Sequence, residues 1–305
     1  MDNQQELNVV TGAFGYAGKY ITRRLLESGI AVRTLTGHPR DPNPFGDAVE
    51  AVPLNFERPA TLVQSLRGAT TIFNTYWIRF ERGGMTFARA VQNIQTLIVA
   101  ARQAGVRRFV QISITNAATA SPLSYFRGKG VIEDTLRGSG LSYAIVRPTV
   151  IFGPEDILIN NIAWTLRSFP VFAVPGSGEY RLQPVFVEDL AELAVNAARE
   201  TWNLELDAVG PEIFTFNQLV RLLAGVLGRT PRIVHVPPMV ALLCTAILGR
   251  LMGDVMLTAD EIRGLAADLL VSPDPPTATT RLSDWLKQHA TDVGTRYASE
   301  LAKRA

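Results

Sequence analysis

A phenol and an ammonium stand four residues apart in this sequence, at Tyr125 and Lys129. Residues with that separation share one face of a helix, so the two side chains would be neighbours. The ammonium would favour release of the phenol proton, and the phenol could then exchange a proton with an alcohol or a carbonyl oxygen. An amphipathic helix surface would give the same spacing, so the position of the pair matters. The pair follows Ser113 and Thr115, whose hydroxyls end a predicted strand and could polarise the same oxygen.

Near the N-terminus, three glycines separate a β-branched run from a helical pattern. The run Val9–Thr11 predicts a buried strand, and 20–26 has helical periodicity. Between them stand Gly12, Gly15 and Gly18. In this context the first glycine makes a tight turn, the second admits a pyrophosphate to the backbone, and the third lets the helix pack on the strand. Spaced glycines also occur in ordinary turns, but the flanking strand and helix predict a dinucleotide site.

Strand and helix patterns alternate through the first half of the chain. Further predicted strands lie at 30–35, 49–54, 70–75, 108–113 and 143–147, and predicted helices at 59–66, 87–104 and 121–137. Strands that alternate with helices of this length form parallel βαβ units. The sequence therefore predicts an α/β fold with a doubly wound parallel sheet.

The regular alternation ends near 152–154, which divides the chain. We expect a dinucleotide-binding domain over 1–152, to which the strand and helix within 181–200 return. The remainder, 153–305, predicts a smaller, mainly helical cap domain that would hold the substrate. Its expected helices lie at about 238–252, 258–270, 281–289 and 291–303. The apolar helix 238–252 is expected to be buried in the cap, and a membrane or partner surface is the alternative.

Composition limits the classes of partner and compartment. Of 305 residues, 47% are hydrophobic and 19% charged, which is typical of a globular protein. Thirty basic and 28 acidic side chains nearly cancel, which argues against nucleic acid as the main partner. The single Cys244, the polar first residues and the absence of an apolar run as long as a membrane span predict a cytoplasmic protein without a transmembrane segment. The three histidines are scattered, so no metal site is expected.

Three motifs together carry a family resemblance. They are 11–18, the pair Tyr125 and Lys129, and 146–149 followed by 152–154. This combination resembles the extended and atypical branches of the short-chain dehydrogenase/reductase superfamily. Within them, 74–80, 156–164 and 183–190 are similar to nucleotide-sugar-epimerase-like proteins and to the NAD(P)H-binding accessory subunit of respiratory complex I. The resemblance covers nearly the whole chain.

The resemblance implies a Rossmann-type fold, a bound nicotinamide dinucleotide, and Ser113, Tyr125 and Lys129 as the catalytic set. It places 74–76 beside the ribose and diphosphate of the cofactor, and Pro148 and Thr149 beside the nicotinamide. The residues predicted to bind the cofactor are Gly12, Phe14, Gly15, Tyr16, Thr36, His38, Arg40, Asn55, Asn74, Thr75, Tyr76, Ile112, Lys129, Pro148 and Thr149.

The end of the second strand bears on the choice of cofactor. Enzymes that use NAD usually place Asp or Glu there, on the adenosine ribose, and this chain has Thr36. No carboxylate would repel a 2′-phosphate, and His38, Arg40 and Arg33 could attract one. We therefore favour NADP(H) over NAD(H). Gly37 stands where many atypical relatives have Arg, so the predicted phosphate clamp is incomplete.

Two hypotheses for the function follow. The first is an NAD(P)(H)-dependent oxidoreductase or epimerase that moves a hydride to or from the carbinol carbon of a small hydroxyl or carbonyl substrate, a nucleotide sugar being one candidate. The alternative is a non-catalytic NAD(P)H-binding structural or regulatory protein, with a homodimer or another protein as its partner. The intact pair of Tyr125 and Lys129 favours the first hypothesis.

Overall fold

The structure is a computed structural model that describes residues 6–39, 42–299 and 301. It divides into two compact units. Unit 1 takes in Met1–Pro148 and Val187–Asp207, and unit 2 takes in Thr149–Phe186 and Ala208–Ala305. The chain therefore leaves the first unit and returns to it before completing the second.

The strands are short and spread over the whole chain. In chain order they are β1 (Leu7–Thr11), β2 (Ala31–Thr36), β3 (Val49–Pro53), β4 (Thr71–Asn74), β5 (Arg108–Ile112), β6 (Ser142–Pro148), β7 (Ile151–Phe152), β8 (Val171–Pro175), β9 (Arg181–Leu182), β10 (Val185–Phe186), β11 (Leu204–Ala208), β12 (Phe214–Thr215) and β13 (Arg232–Val236).

The helices alternate with these strands through most of the chain. In chain order they are α1 (Tyr16–Glu27), α2 (Pro59–Leu66), α3 (Phe87–Gln103), α4 (Ser124–Arg137), α5 (Leu158–Ser168), α6 (Val187–Arg199), α7 (Phe216–Val226), α8 (Pro238–Met252), α9 (Ala259–Ala266) and α10 (Leu282–Gln288), with a short 3₁₀ helix at Gly46–Ala48.

Unit 1 is built on a seven-stranded sheet with the order β11-β6-β5-β4-β1-β2-β3. The neighbouring pairs from β3 to β6 are parallel. The chain winds outward from β1 in both directions, so the carboxyl ends of β1 and β4 face a switch point, where doubly wound sheets bind their ligands. This arrangement confirms the predicted Rossmann-type fold.

Helices cover both faces of this sheet. On one face α2 contacts α3 and α3 contacts α4, while on the other α1 contacts α6. The core between the first layer and the sheet is apolar and buried, with Ile72 and Phe109 from strands against Ile94 and Leu97 of α3. Alternate strand residues and one helical stripe meet there, as their periodicities require.

Unit 2 combines helices α5 and α7–α10 with three two-stranded pieces, β7–β10, β8–β13 and β9–β12. Its core is a separate cluster in which Phe152, Leu182 and Leu219 pack with Trp285 and Leu286 of α10. Capping boxes at Thr215 and Thr258 begin α7 and α9. Unit 2 is thus the smaller, mainly helical part that the sequence predicts.

Two elements of unit 2 differ from the predictions. The strand expected at 181–187 is broken into β9 and β10, because Pro184 has no backbone N–H and the Gln183 N–H donates to the Leu270 carbonyl instead. The helix expected at 291–303 is wrong for its described residues, which form turns. Gly294 lies there with a φ of +68°. It packs so closely on α5 that a Cβ would lie 2.4 Å from the backbone nitrogen of Trp164.

Helix α8 has the predicted bounds, but its expected burial is wrong. The side chains of Met239, Leu243 and Ile247 are exposed by 76%, 62% and 57%. Within the described residues, none of the helices has both the length and the apolar character needed to cross a membrane.

Candidate functional site

The turn between β1 and α1 depends sterically on two glycines. Gly12 has a φ of +69°, a left-handed conformation that favours glycine, and its N–H donates to the Leu35 carbonyl at 2.9 Å. The Gly15 N–H donates to the Gly12 carbonyl, also at 2.9 Å, and closes the turn. A Cβ on Gly18 would lie 2.2 Å from the Gly12 carbonyl oxygen, which no side chain tolerates. The turn at Gly12 and the close packing of Gly18 agree with two of the predicted roles, and the contact of Gly15 with a pyrophosphate stays a prediction.

The N-terminus of α1 fits an anionic group. Its N-cap is Gly15, which is exposed and contributes no side-chain hydrogen bond, and its first turn contains no acidic residue. The first N–H groups of a helix have no partner within the helix, and the helix dipole favours negative charge there. Phe14 and Tyr16 flank this point, both half-buried. These features fit the diphosphate of a dinucleotide.

Polar side chains join the carboxyl ends of the central strands. The Thr11 hydroxyl donates to Asn74 Oδ1 at 2.9 Å and accepts from the backbone N–H groups of Thr75 and Tyr76. Asn74 Nδ2 in turn donates to Gln111 Oε1 at 2.8 Å. The Asn74 side chain is completely buried by these contacts. Its effect at the site is therefore to position the loop that follows β4.

Tyr76 is held in that loop by its own contacts. Its phenol accepts a hydrogen bond from Asn93 Nδ2 at 2.9 Å, and its ring packs against Phe56 at a centroid distance of 5.0 Å. Burial raises the pKa of Tyr76, and the hydrogen bond from Asn93 opposes this only in part. The phenol stays protonated, which suits a structural or binding role.

At the end of β2, one of the predicted phosphate contacts is used elsewhere. Arg33 Nε donates to Glu50 Oε2 at 2.6 Å, so this guanidinium is paired on the sheet and its predicted attraction for a 2′-phosphate is wrong. The Thr36 hydroxyl accepts from the His38 N–H at 3.1 Å, and His38 is exposed. Arg40 lies outside the described residues.

Three further predicted residues lie at strand ends or just after them. Asn55 Oδ1 accepts from the backbone N–H two residues later, at 3.0 Å, in a turn. Pro148 ends β6, and its carbonyl accepts from the Thr115 N–H at 3.0 Å. The Thr149 hydroxyl donates to the Gln183 carbonyl within unit 2. Their contacts with a cofactor stay predictions.

Tyr125 and Lys129 lie in the first two turns of α4 and share one aromatic neighbour. The Tyr125 ring meets Trp77 edge-on at a centroid distance of 5.8 Å, and Lys129 Nζ lies 4.8 Å from the centroid of the same ring. Lys129 Nζ also donates to the Ile112 carbonyl, at the end of β5, at 2.9 Å. The structure thus brings two of the predicted residues, Tyr125 and Lys129, around Trp77, and joins Lys129 to a third, Ile112.

Among the basic groups of this region, the Lys129 amine has the pKa that is shifted furthest from its ordinary value. Its side chain is almost fully buried, and burial lowers its pKa from 10.5 to about 7, while the charge of Glu133 opposes the change. An amine of this kind can hold or release a proton near neutral pH, a property that is more common at functional sites than elsewhere.

Ser113 is held by a buried ionic network. Its hydroxyl donates to Glu133 Oε1 at 2.5 Å, and Glu133 Oε2 pairs with Arg147 at 2.7 Å and with Arg137 at 3.1 Å. Both arginines also pair with Glu205 of β11. The catalytic role of Ser113 stays a prediction, and the structure gives its hydroxyl a structural partner.

Two residues of this region, Trp77 and Glu133, were not predicted from the sequence. Trp77 belongs to the loop after β4, where a large aromatic side chain is a usable signal because ligands gather beyond strand ends. A Cβ on Gly128 would lie 2.8 Å from this indole, so α4 is matched to it. Glu133 is four residues after Lys129 on the same helix, a spacing that would have placed both on one face.

Unit 2 contains a cavity of its own, of about 290 Å³, to which none of the predicted site residues contributes. Its lining includes Pro175, Tyr180, Pro238 and Ile262. Burial raises the pKa of Tyr180, whose phenol has no hydrogen-bond partner within the described part of the chain. No cluster of His, Cys, Asp or Glu among the described residues is placed to hold a metal ion.

The fold and the glycine turn define a Rossmann protein that binds a nicotinamide dinucleotide. Residues 12–157 match the sequence profile of a family described as NAD(P)H-binding. The ceramide reductase of Caulobacter vibrioides is 30% identical over 233 residues, which cover 75% of this chain and 73% of that protein. The chain therefore belongs to this NAD(P)H-binding family, with the extended short-chain dehydrogenase/reductase fold that its motifs predict.

Two other relatives match more of the chain at lower identity. A mitochondrial protein of Arabidopsis thaliana, NADH dehydrogenase [ubiquinone] 1 alpha subcomplex subunit 9, is 26% identical over 282 residues, 86% of this chain and 70% of that one. A nucleoside-diphosphate-sugar epimerase from Staphylococcus aureus superposes with a TM-score of 0.72 over 92% of this chain and 99% of that one, at 20% identity. The epimerase shares the fold, and the resemblance drawn from the motifs is confirmed.

Proposed function

We propose that this protein is an NADP(H)-dependent oxidoreductase that interconverts a carbonyl group and an alcohol. The observation that carries the proposal is the grouping of Tyr125 and Lys129 around Trp77, with the buried Lys129 amine on the Ile112 carbonyl. A buried amine with a pKa near 7 beside a phenol is the donor set that proton transfer to a substrate oxygen requires.

The chain's own residues supply the proton chemistry. When bound, the nicotinamide supplies or accepts the hydride at the substrate carbon. The Tyr125 hydroxyl gives its proton to the carbonyl oxygen in reduction and takes it back in oxidation. In reduction the protonated Lys129 amine, held on the Ile112 carbonyl one helical turn from Tyr125, gives a proton to the Tyr125 phenolate, and in oxidation the neutral amine takes a proton from the phenol, both at near-neutral pH. Trp77 excludes water from one side of both groups.

Reduction is favoured over epimerisation by the relatives' names. The Caulobacter relative is called a ceramide reductase, whereas the likeness to the epimerase is one of fold. We therefore take a carbonyl compound as the substrate class, and the name of that relative favours a lipid carbonyl. The end of β2 supports NADP(H), because Thr36 brings no carboxylate and His38 is exposed beside it.

A second candidate function rests on a different observation. The Arabidopsis relative is a subunit of NADH dehydrogenase and matches more of this chain than the reductase does. A non-catalytic protein that binds NAD(P)H in an assembly would keep the glycine turn and have no need for a proton donor. The two candidates differ in whether Tyr125 matters.

The test is turnover with NADPH and NADH on a panel of carbonyl compounds that includes lipid ketones, for the wild type and for Tyr125→Phe. We expect turnover with NADPH to fall by about 10²–10⁴-fold in the variant, since the general acid is removed. Binding of NADPH, followed by its fluorescence, should stay within about twofold, because a single hydroxyl is removed from the reacting end. Tyr143→Phe, at the start of β6, is the matched control and should leave both unchanged.

Equal turnover by wild type and Tyr125→Phe would contradict the mechanism. A wild type that retains NADPH and reduces no compound of the panel would favour the second candidate.

A further inference from the structure

Helix α8 presents an apolar face to solvent. The face consists of Met239, Val240, Leu243, Cys244 and Ile247, all exposed. Scattered apolar side chains are normal on protein surfaces, but a contiguous group on one helix marks an interaction surface. The face belongs to unit 2 and uses none of the residues proposed for catalysis, so the inference does not depend on the proposed function.

The geometry of α8 suits a helix that lies along a surface. Met239, Leu243 and Ile247 follow one another at four-residue spacing and form a single stripe. Arg250 is eleven residues after Met239, about three helical turns, so it ends the same stripe. Fifteen residues give a length of about 22 Å, which is short of the roughly 30 Å needed to cross a bilayer.

The stretch of sequence that contains α8 carries charge of one sign. From Ile213 to Gly253 the chain contains no Asp or Glu, although the whole chain has 28. The same stretch contains four arginines, all exposed: Arg221, Arg229, Arg232 and Arg250. No ion pair within the described residues involves any of them. This segment therefore combines an apolar stripe with uncompensated positive charge.

A second copy of the chain is a poor occupant of this face. A two-fold contact places the same surface on both sides, and from Ile213 to Gly253 that surface has no Asp or Glu, so neither copy would supply a carboxylate from this stretch to the other copy's arginines.

We propose that α8 binds the interface of a lipid bilayer that carries anionic headgroups. The stripe of Met239, Leu243 and Ile247 enters the boundary between headgroups and acyl chains, and the arginines contact the phosphates. An arginine at the end of the stripe extends its guanidinium to the headgroups while its stem stays in the apolar layer. Hydrocarbon is the partner for an aliphatic face, and anionic lipid supplies the opposite charge.

The experiment is flotation of the 305-residue chain with vesicles of two compositions. One is phosphatidylcholine alone, and in the other about a third of the lipid is phosphatidylglycerol. We expect binding to the anionic vesicles, at least about tenfold weaker binding to the neutral ones, and loss of binding at about 0.5 M salt, where charge is screened.

Two variants separate the apolar and the electrostatic contributions. Leu243→Glu combined with Ile247→Glu should weaken binding to anionic vesicles by at least about tenfold. Arg229→Gln combined with Arg232→Gln should weaken it by roughly tenfold and leave the stripe intact. Val99→Glu, at an apolar side chain of α3 that is 55% exposed, is the matched control and should bind like the wild type. Circular dichroism of each variant reports on folding.

Several results would overturn the proposal. Equal binding to neutral and anionic vesicles would remove the electrostatic part. If the protein binds no vesicles and is a dimer, and if Leu243→Glu combined with Ile247→Glu dissociates that dimer, then α8 is a contact between two copies of the chain. If the protein is a monomer and binds no vesicles, the proposal that α8 binds a bilayer is wrong.

Discussion

At the scale of single residues, burial of the Lys129 amine makes stability depend on pH. Its pKa is about 7 in the folded chain, and in the unfolded chain, where water surrounds the amine, it returns to the ordinary lysine value of 10.5. Between these values the unfolded chain holds the proton and the folded chain does not. The free energy of unfolding therefore rises with pH in this window, by up to about 1.4 kcal/mol per unit. Below pH 7 both states are protonated and the folded state bears the full cost.

We expect Lys129→Met to remove this dependence. Guanidinium unfolding without added cofactor, from about pH 7 to about pH 9, should show a rising free energy for the wild type and a nearly flat one for the variant. The window stays below the range in which tyrosines ionise. A wild type whose stability is as flat as that of the variant across that window would show that the amine keeps its proton in the folded chain.

A second prediction concerns the network around Glu133. Glu133→Gln leaves the partly exposed Arg147 with Glu205 as its remaining carboxylate partner and should cost about 1.5–3 kcal/mol of unfolding free energy. Ser113→Ala removes one hydrogen bond to a charged group and should cost about 1.5–3 kcal/mol. Asp134→Asn, on an exposed neighbour of the same helix, should change stability by less than about 1 kcal/mol.

The same set of variants also tests the catalytic role predicted for Ser113. A structural hydroxyl lowers the midpoint of thermal unfolding when it is removed, and kcat measured well below that midpoint changes little. A large fall in kcat at unchanged stability would restore Ser113 to the catalytic set.

Spacing within one element was enough to predict Tyr125 and Lys129, because helical periodicity fixes which residues share a face. Spacing could not predict Trp77, which reaches Tyr125 from the loop after β4. Nor could it predict Glu205, which reaches Arg147 from β11. Contacts between elements depend on the sheet order, which a local pattern does not determine. For the same reason the sequence predicts Arg33 at a phosphate and gives no sign of its pairing with Glu50 on the neighbouring strand.

At the scale of elements, the glycine turn gives a steric prediction. Gly18→Ala would place a methyl 2.2 Å from the Gly12 carbonyl oxygen, and both groups are backbone or fixed to it. Helix α1 must then move away from β1. We expect NADPH affinity to fall by at least about tenfold and stability by about 1–3 kcal/mol. Fluorescence titration and thermal unfolding measure the two effects.

Gly225→Ala is the control, because it lies in α7 with open space around a Cβ. Alanine is the better helix former, so this variant should be neutral or more stable by up to about 1 kcal/mol. Equal effects of the two substitutions would mean that the close approach of α1 to β1 is not needed.

The strands β1–β6 and the helices between them could be predicted because six strands alternate with four α-helices and each unit agrees with the next. The exposure of α8 could not be predicted, because an apolar pattern shows that a helix has a face suited to burial and does not show whether another element packs on that face. Turns such as the one at Gly294 depend on contacts with residues far along the chain, here Asn160 and Trp164.

At the scale of the whole molecule, unit 1 is discontinuous in sequence. Helix α6 buries Leu190, Ala191 and Ala194 and contacts α1, β5 and β6. A chain of Met1–Pro148 alone lacks α6 and would expose the surface of α1, β5 and β6 that α6 covers. We therefore expect this shortened chain to aggregate. The chain crosses out and back at adjacent points, since the Val185 N–H donates to the Val150 carbonyl at 2.8 Å.

A short glycine–serine linker can therefore join Pro148 to Val187. We expect Met1–Pro148 linked in this way to Val187–Asp207 to be monomeric in gel filtration, to unfold cooperatively and to bind NADPH. A monomeric, cooperatively unfolding Met1–Pro148 without the second segment would show that α6 and β11 are dispensable.

The pairing of Glu205 with Arg137 and Arg147 has a consequence for synthesis on the ribosome. Translation delivers both guanidiniums well before their second carboxylate, and everything from Thr149 to Phe186 emerges in between. The nascent nucleotide-binding unit lacks this carboxylate, and has only Glu133 and Asp134 beside the two cations, while part of the other unit is already outside the exit tunnel. Unit 1 therefore cannot be completed in the order in which its residues are synthesised. A chaperone that shields the incomplete unit would act before Val187–Asp207 has been translated.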